Sequence, residues 1–261
     1  MIKKSELWIW GQDAGSQHEA ADGVFKLPGI NKMEPKEGCE YLGIPNICRV
    51  GMSGKPEPPF DSEAEIIKDT PKVVWSIIGD NGSIRNDDGS DDTDAVIDVA
   101  KKYPNIVGAI MDDFLSEKRR AVYSPEIIGD RAEKLHNAGL KLWTVIYENE
   151  LIETSEPYLD KCDVITFWTW YSELLTDVEK NLAKLKSMLH KNQKVYLGCY
   201  MWDYGNSCPM PMDRMKYQLE LYKKLIEAGE VEGIIFCSNC IADIGLDTVE
   251  YTKQWIAENA E

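Results

Sequence analysis

The chain lacks any apolar run near the roughly 20 residues of a membrane span. The run Leu7-Trp8-Ile9-Trp10, behind Met1-Ile2-Lys3-Lys4-Ser5-Glu6, is also shorter than the roughly 7–15 residues of a signal-peptide core. A soluble, cytoplasmic protein is the expectation, and a leader already removed from the sequence is the alternative. Basic residues are in deficit. Lys and Arg number 29 against 45 Asp and Glu, which gives a formal net charge of −16. Such a surface repels phosphate backbones and anionic membranes, so neither nucleic acid nor membrane is an expected partner. Histidine is scarce, with three in all, and Leu7-Trp8-Ile9-Trp10-Gly11 has no HxH pair for a metal-dependent amidohydrolase. There is no GxSxG elbow for a serine triad. The predicted strand interiors contain no lysine for a Schiff base. Gly11-Gln12-Asp13-Ala14-Gly15 is not the GxGxxG of a dinucleotide fold. Cysteines number seven, an odd count, and Cys237-Ser238-Asn239-Cys240 has no second CxxC to complete a zinc site. Cys48, Cys199 and Cys237 sit in apolar runs and read as reduced core thiols. No cofactor and no resident metal are expected.

What the sequence does contain is an alternation. Apolar, β-branched runs occur at Leu7–Gly11, Asn46–Gly51, Val73–Gly79, Ile106–Asp112, Lys141–Tyr147, Val164–Trp170, Lys194–Trp202 and Gly233–Cys237. Near-continuous apolarity is the mark of parallel strands covered on both faces. Between them lie helical patterns at Met33–Leu42, Ser62–Lys68, Asp91–Lys102, Ser124–Asn137, Leu175–His190 and Asp213–Ala228, and Asp247–Glu258 closes the chain. Ser124-Pro125-Glu126 supplies an N-cap and a proline at the first helical position, and Gly139 supplies a stop. No repeat, low-complexity tract or linker marks a boundary. Eight βα units in 261 residues predict one α/β domain over residues 1–261, a (β/α)8 TIM barrel. The runner-up is an open doubly wound sheet.

Active sites of such barrels lie at the C-terminal ends of the strands. Those ends carry Gln12 and Asp13, Arg49, Asp80 and Asn81, Asp112 and Asp113, Glu148 and Glu150, Trp170 and Glu173, Trp202 and Asp203, and Ser238 and Asn239. Aromatic residues gather at the same ends. This mixture suits a sugar, whose C–H faces stack on rings and whose hydroxyls need paired donors and acceptors. Cleaving a glycosidic bond uses two carboxyl groups. A carbohydrate ligand is therefore the expected partner. The binding candidates are Trp10, Gln12, Asp80, Tyr147, Trp168, Trp170, Glu173, Trp202, Tyr204 and Asn239. The catalytic candidates are Asp112, Asp113, Glu148 and Asp203. The long first loop, Gln12 to Ile30, is a candidate cleft wall. Oligomeric state stays open.

The stretch from Ile106 to Leu115 reads IVGAIMDDFL. On a regular strand Asp112 and Asp113 face opposite sides. A turn at the strand end can bring both into the cleft, where like charges push one pKa up, as a general acid requires. The alternative is a helix cap or an ion pair with Lys118, Arg119 or Arg120. With these strand-end residues the chain resembles TIM-barrel glycoside hydrolases. Met111-Asp112-Asp113-Phe114 resembles the fourth-strand Asp-Asp of the hyaluronidase-like O-GlcNAc hydrolases. That resemblance implies that Asp112 orients and polarises an acetamido group and that Asp113 is the general acid/base. Tyr200-Met201-Trp202-Asp203-Tyr204-Gly205 resembles the seventh-strand segment of retaining glycosidases, which implies Asp203 as a carboxylate partner. Glu148, in Tyr147-Glu148-Asn149-Glu150, is a third candidate. Two other readings stay open. One is a carbohydrate-binding barrel without hydrolysis. The other is a divalent-metal-dependent isomerase or lyase using the same carboxylates.

Overall fold

The computed structural model describes residues 1–80 and 84–261, so Asn81, named among the strand-end residues, lies outside the described residues. Eight parallel strands close into a barrel. They are β1 (Leu7–Gly11), β2 (Asn46–Arg49), β3 (Val73–Ile78), β4 (Ile106–Met111), β5 (Lys141–Tyr147), β6 (Val164–Trp168), β7 (Lys194–Tyr200) and β10 (Gly233–Cys237). A short antiparallel pair, β8 (Trp202–Asp203) and β9 (Cys208–Pro209), stands between β7 and β10. The barrel closes where β10 meets β1, with Leu7 opposite Ile234 and Trp10 opposite Cys237.

A helix follows every barrel strand. In order they are Pro35–Leu42, Asp61–Ile66, Thr93–Ala100, Pro125–Asn137, Glu156–Leu159, Val178–Ser187, Met212–Glu227 and Asp247–Asn259. The (β/α)8 barrel expected from the alternation is thus the fold. Glu156–Leu159 carries no sequence signal, because four residues barely complete one helical turn. Ser124 caps its helix as expected, its Oγ accepting from the Ile127 N–H at 3.3 Å. No helix among the described residues is long and apolar enough to cross a membrane.

Five strands stop earlier than their apolar runs suggest, β3 and β4 by one residue and β2, β6 and β7 by two. β6 ends at Trp168 rather than Trp170. β7 ends at Tyr200, and the chain then bends into the antiparallel pair, where Trp202 faces Pro209 and Asp203 faces Cys208. The alternation of a barrel strand therefore does not place Trp202 or Asp203.

The barrel interior is filled by aromatic side chains in two levels. Near the strand starts, Trp8 and Tyr196 each pack on Trp143, with ring centroids 5.1 Å apart in both contacts. Near the strand ends, Trp168 packs on Trp10 at 5.1 Å and on Tyr200 at 5.0 Å. Such bulk is accommodated by a missing side chain on a neighbouring strand. A Cβ at Gly198 would lie 1.9 Å from Cδ2 of Trp168. That is well inside van der Waals contact, and the rigid indole cannot move aside cheaply. The Gly198→Ala variant is expected to lose roughly 1–3 kcal/mol or more of stability. A denaturant titration would show a lower midpoint at unchanged slope, and an unchanged midpoint would mean that Trp168 is free to shift.

Candidate active site

Asp112 continues the register of β4, since its N–H donates to the Ile78 carbonyl at 2.9 Å. Its side chain accordingly points into the barrel mouth. Asp113 then leaves the strand with φ of 45°, a left-handed conformation uncommon for a residue other than glycine. The consequence is that two consecutive side chains reach the same place. Both line an inner pocket of about 450 Å³ at the C-terminal end of the barrel.

Their environments differ. Asp112 is buried, at 5% exposure. Burial first, and then the charges of Asp113 and Asp80, hold its carboxyl well above the usual carboxylate range. Both effects favour its protonated form over the charged one. Asp113 is half-buried, and its Oδ1 accepts a hydrogen bond from the Tyr147 hydroxyl at 3.0 Å. Of the basic residues that follow, Arg119 is near enough for its charge to pull the Asp112 carboxyl down, against burial and like charge. Lys118 pairs with Asp87 at 2.5 Å, Arg119 donates to the Asp80 carbonyl at 3.0 Å, and Arg120 donates to Thr154 at 2.6 Å.

The inner pocket has unlike walls. Asp80, Asp112 and Asp113, from the ends of β3 and β4, form the carboxylate wall. Trp10, Trp168 and Tyr200 form an aromatic floor. Gln12, Gln17, Phe25 and Tyr204 face the pocket from the first loop and from the segment after β7. Gln17 is fixed by four side-chain hydrogen bonds, one of them donated to the Cys237 sulfur at 3.6 Å. It donates to Gln12 at 2.8 Å and accepts from Tyr204 at 2.6 Å and from Ser238 at 2.9 Å.

An outer cleft of about 1040 Å³ adjoins this pocket, and the two share Asp113, Tyr147 and Trp170. Glu148, Glu150 and Tyr171 line the outer part. Burial raises the Glu148 carboxyl, which accepts from the Trp170 N–H at 3.4 Å. Burial likewise pushes Glu150 up to about 7, against the pull of the Tyr147 N–H that donates to it at 2.9 Å. Among the described residues, no Lys, Arg or His lines either cavity. Anionic sugars would meet only like charge there.

The structure thus brings Trp10, Gln12, Asp80, Asp112, Asp113, Tyr147, Trp168, Trp170 and Tyr204 together around one pocket, with Glu148 in the adjoining cleft. Four other candidates stand outside both cavities. Asp203 braces its own turn, accepting from the Asn206 backbone at 3.2 Å and side chain at 2.9 Å. Glu173 accepts from the same Asn206 amide at 2.9 Å. Trp202 donates its Nε1–H to the Phe25 carbonyl at 3.1 Å. Asn239 exchanges two 2.9 Å hydrogen bonds with the backbone of Gln12. His18 stays within its loop, beside the Pro28 carbonyl at 3.1 Å. Gln17, Phe25, Met52, Tyr200 and Cys237 line the pocket without having been singled out as binding residues. Cys237 was legible, since it ends its apolar run and its strand alike, whereas Tyr200 was hidden inside a run that continues to Trp202. Gln17 and Phe25 lie in a loop without periodicity. Cys237 and Cys240 are both buried free thiols. Among the described residues, no group of three or more His, Cys, Asp or Glu is arranged to hold a metal ion.

Fold and cleft together define a (β/α)8 barrel with a carboxylate-walled, aromatic-floored pocket at the C-terminal ends of its strands. By sequence the chain matches no protein-family model and no curated relative. Solved structures share its fold. The spore cortex-lytic enzyme SleL of Bacillus megaterium superposes with a TM-score of 0.63 at 8% identity, over 100% of this chain and 75% of that one. A chitinase from Chromobacterium violaceum gives 0.58 at 9% identity, over 96% and 98%. The tryptophan synthase complex of Pyrococcus furiosus gives 0.53 at 12% identity, over 99% and 98%. At such identities the likeness is one of fold.

Glu150 gives a pH test of this electrostatic arrangement. Its carboxyl rises from 4.5 to about 7 on folding, so the folded chain binds that proton more tightly. The associated stability is fully present below about pH 4.5 and is lost as pH rises through about 7. Relative to Glu150→Gln, the parent chain is expected to lose roughly 1–3 kcal/mol across that window. Denaturant midpoints at several pH values would measure it, and parallel curves for the two proteins would show that Glu150 is solvated.

Proposed function

We propose that the protein is a glycoside hydrolase in which Asp113 exchanges a proton with the bridging oxygen and Asp112 holds the sugar in the inner pocket. One observation carries this reading. Two consecutive carboxyl groups open into one aromatic-floored pocket, and Asp113 also borders the outer cleft. A substrate with one ring inside and its remainder outside would place the bridging bond beside Asp113. The aromatic floor and the fixed amides of Gln12 and Gln17 suit a sugar's faces and hydroxyls. Fold likeness to a chitinase and to a spore cortex-lytic enzyme agrees with the reading.

The proton has a source. Burial and neighbouring charge raise the Asp112 carboxyl and so favour its protonated form. A ligand N–H or O–H that hydrogen-bonds to an ionised Asp112 moves that proton to Asp113. Asp113 then delivers it to the leaving oxygen as the bond breaks, and recovers one from the incoming water. The inner-pocket carboxyls all come from neighbouring β3 and β4 ends, while the facing walls carry aromatic and amide groups. Attack on the anomeric carbon then falls to a substituent of the sugar itself. An acetamido carbonyl, with its N–H on Asp112, meets that need.

Replacing Asp113 by Asn is expected to lower turnover of nitrophenyl N-acetylhexosaminides by about 10²–10⁴-fold while sugar binding persists. Steady-state rates and calorimetric titration would separate the two effects. Unchanged turnover would remove Asp113 from the chemistry. Sugar binding by the parent chain without any turnover would favour a carbohydrate-binding barrel.

A further inference from the structure

Among the described residues, the inner pocket is closed at its floor and on the side of the first loop. Its floor of Trp10, Trp168 and Tyr200 rests on a barrel interior already filled by Trp8, Trp143 and Tyr196. Its far side is closed by the first loop. Phe25 packs edge-on against Tyr204 at 5.1 Å and against Trp170 at 6.3 Å. The loop tip is tied to the segment after β7, since Trp202 donates to the Phe25 carbonyl at 3.1 Å and Ser207 to the Val24 carbonyl at 2.9 Å. The base of the loop is tied to the segment after β10, through the paired hydrogen bonds between Gln12 and Asn239. Asn31 completes the attachment by donating to the Asn239 carbonyl at 2.9 Å.

Size agrees with this closure. The pocket's volume of about 450 Å³ includes its open mouth. The enclosed part is smaller than that, and the filled barrel interior beneath it leaves no way for a chain to pass through. The side shared with the outer cleft is bounded by Asp113, Tyr147 and Trp170, and it leads to the larger space.

We propose that the inner pocket is a dead-end subsite for a single terminal sugar residue. The protein then trims glycans from an end, and Phe25 is the specificity-determining residue that closes the far wall. The inference rests on the hydrolytic reading above for its chemistry, but the pocket's selectivity for chain ends is open to a separate binding measurement. Phe25 is half-buried on a loop outside the barrel frame, so its side chain can be removed without emptying the core.

The experiment uses the intact chain and a panel of linear oligosaccharides of neutral and N-acetylated hexoses. Each carries a fluorophore at its reducing end, and each is paired with the same chain bearing a bulky ether on its terminal ring. Products are sized over time, and binding is followed by tryptophan fluorescence. The expected result is loss of one ring at a time from uncapped chains, with capped chains bound roughly tenfold or more weakly. In Phe25→Ala the opened wall should admit capped chains, which reduces that discrimination and lets internal fragments appear. Early internal fragments from the parent chain would overturn the dead-end pocket while leaving hydrolysis standing. No cleavage, with end-selective binding retained, would sink the hydrolytic reading and keep the pocket. Equal binding of capped and uncapped chains, or no binding of either, would overturn the proposal.

Discussion

Closing eight strands into a ring creates an interior that only side chains can fill, and the fill chosen here decides the rest. Small aliphatic residues would leave a shallow, featureless mouth. This barrel stacks indoles and phenols instead, with Trp8, Trp143 and Tyr196 below and Trp10, Trp168 and Tyr200 above. The upper level is at once the top of the core and the floor of the pocket. Gly198 is part of the same arrangement, since its missing side chain is the space that Trp168 occupies. Stability and site shape are therefore one packing problem rather than two.

That floor also sets the electrostatics. Asp112 stands next to aromatic surface and beside Asp80 and Asp113, so its charged form is penalised by lost hydration and by like charge together. The left-handed turn at Asp113 leaves the second carboxyl in the same pocket but half-exposed, with the Tyr147 hydroxyl as a donor. Two chemically identical groups thereby meet different surroundings, one buried among like charges and one half-exposed beside a hydroxyl donor. A strand continuing in regular alternation would have sent Asp113 into the helix layer.

The strands were largely legible because parallel barrel strands are apolar nearly throughout, and β1, β5 and β10 match their sequence runs end to end. The carboxylate wall was legible for the same reason, since Asp80, Asp112 and Asp113 directly follow such runs. Legibility failed where a run outlasts its strand. Trp202 and Asp203 continue the apolar pattern of β7 but belong to a separate antiparallel pair, because the chain bends after Tyr200. Nothing in a two-residue period announces that bend. Asn239 and Glu173 were placed correctly in sequence order but point to backbone and side-chain partners within the loops. Gln17 and Phe25 show the converse. Their loop has no period at all, and what fixes them is hydrogen bonding to residues about two hundred positions away.

Those long-range ties explain why a loop can serve as a wall. A segment as long as Gln12 to Ile30 would ordinarily be mobile, and a mobile wall cannot exclude a chain. Here Asn239 is buried and satisfies both the N–H and the carbonyl of Gln12, so releasing the loop base would strand polar groups in the interior. Trp202 does the same at the tip, where its buried indole N–H has the Phe25 carbonyl as acceptor. The aromatic and amide residues at the strand ends that do not face the pocket are thus not idle. They hold in place the residues that do, and the pocket's closed shape follows from the cost of breaking those hydrogen bonds.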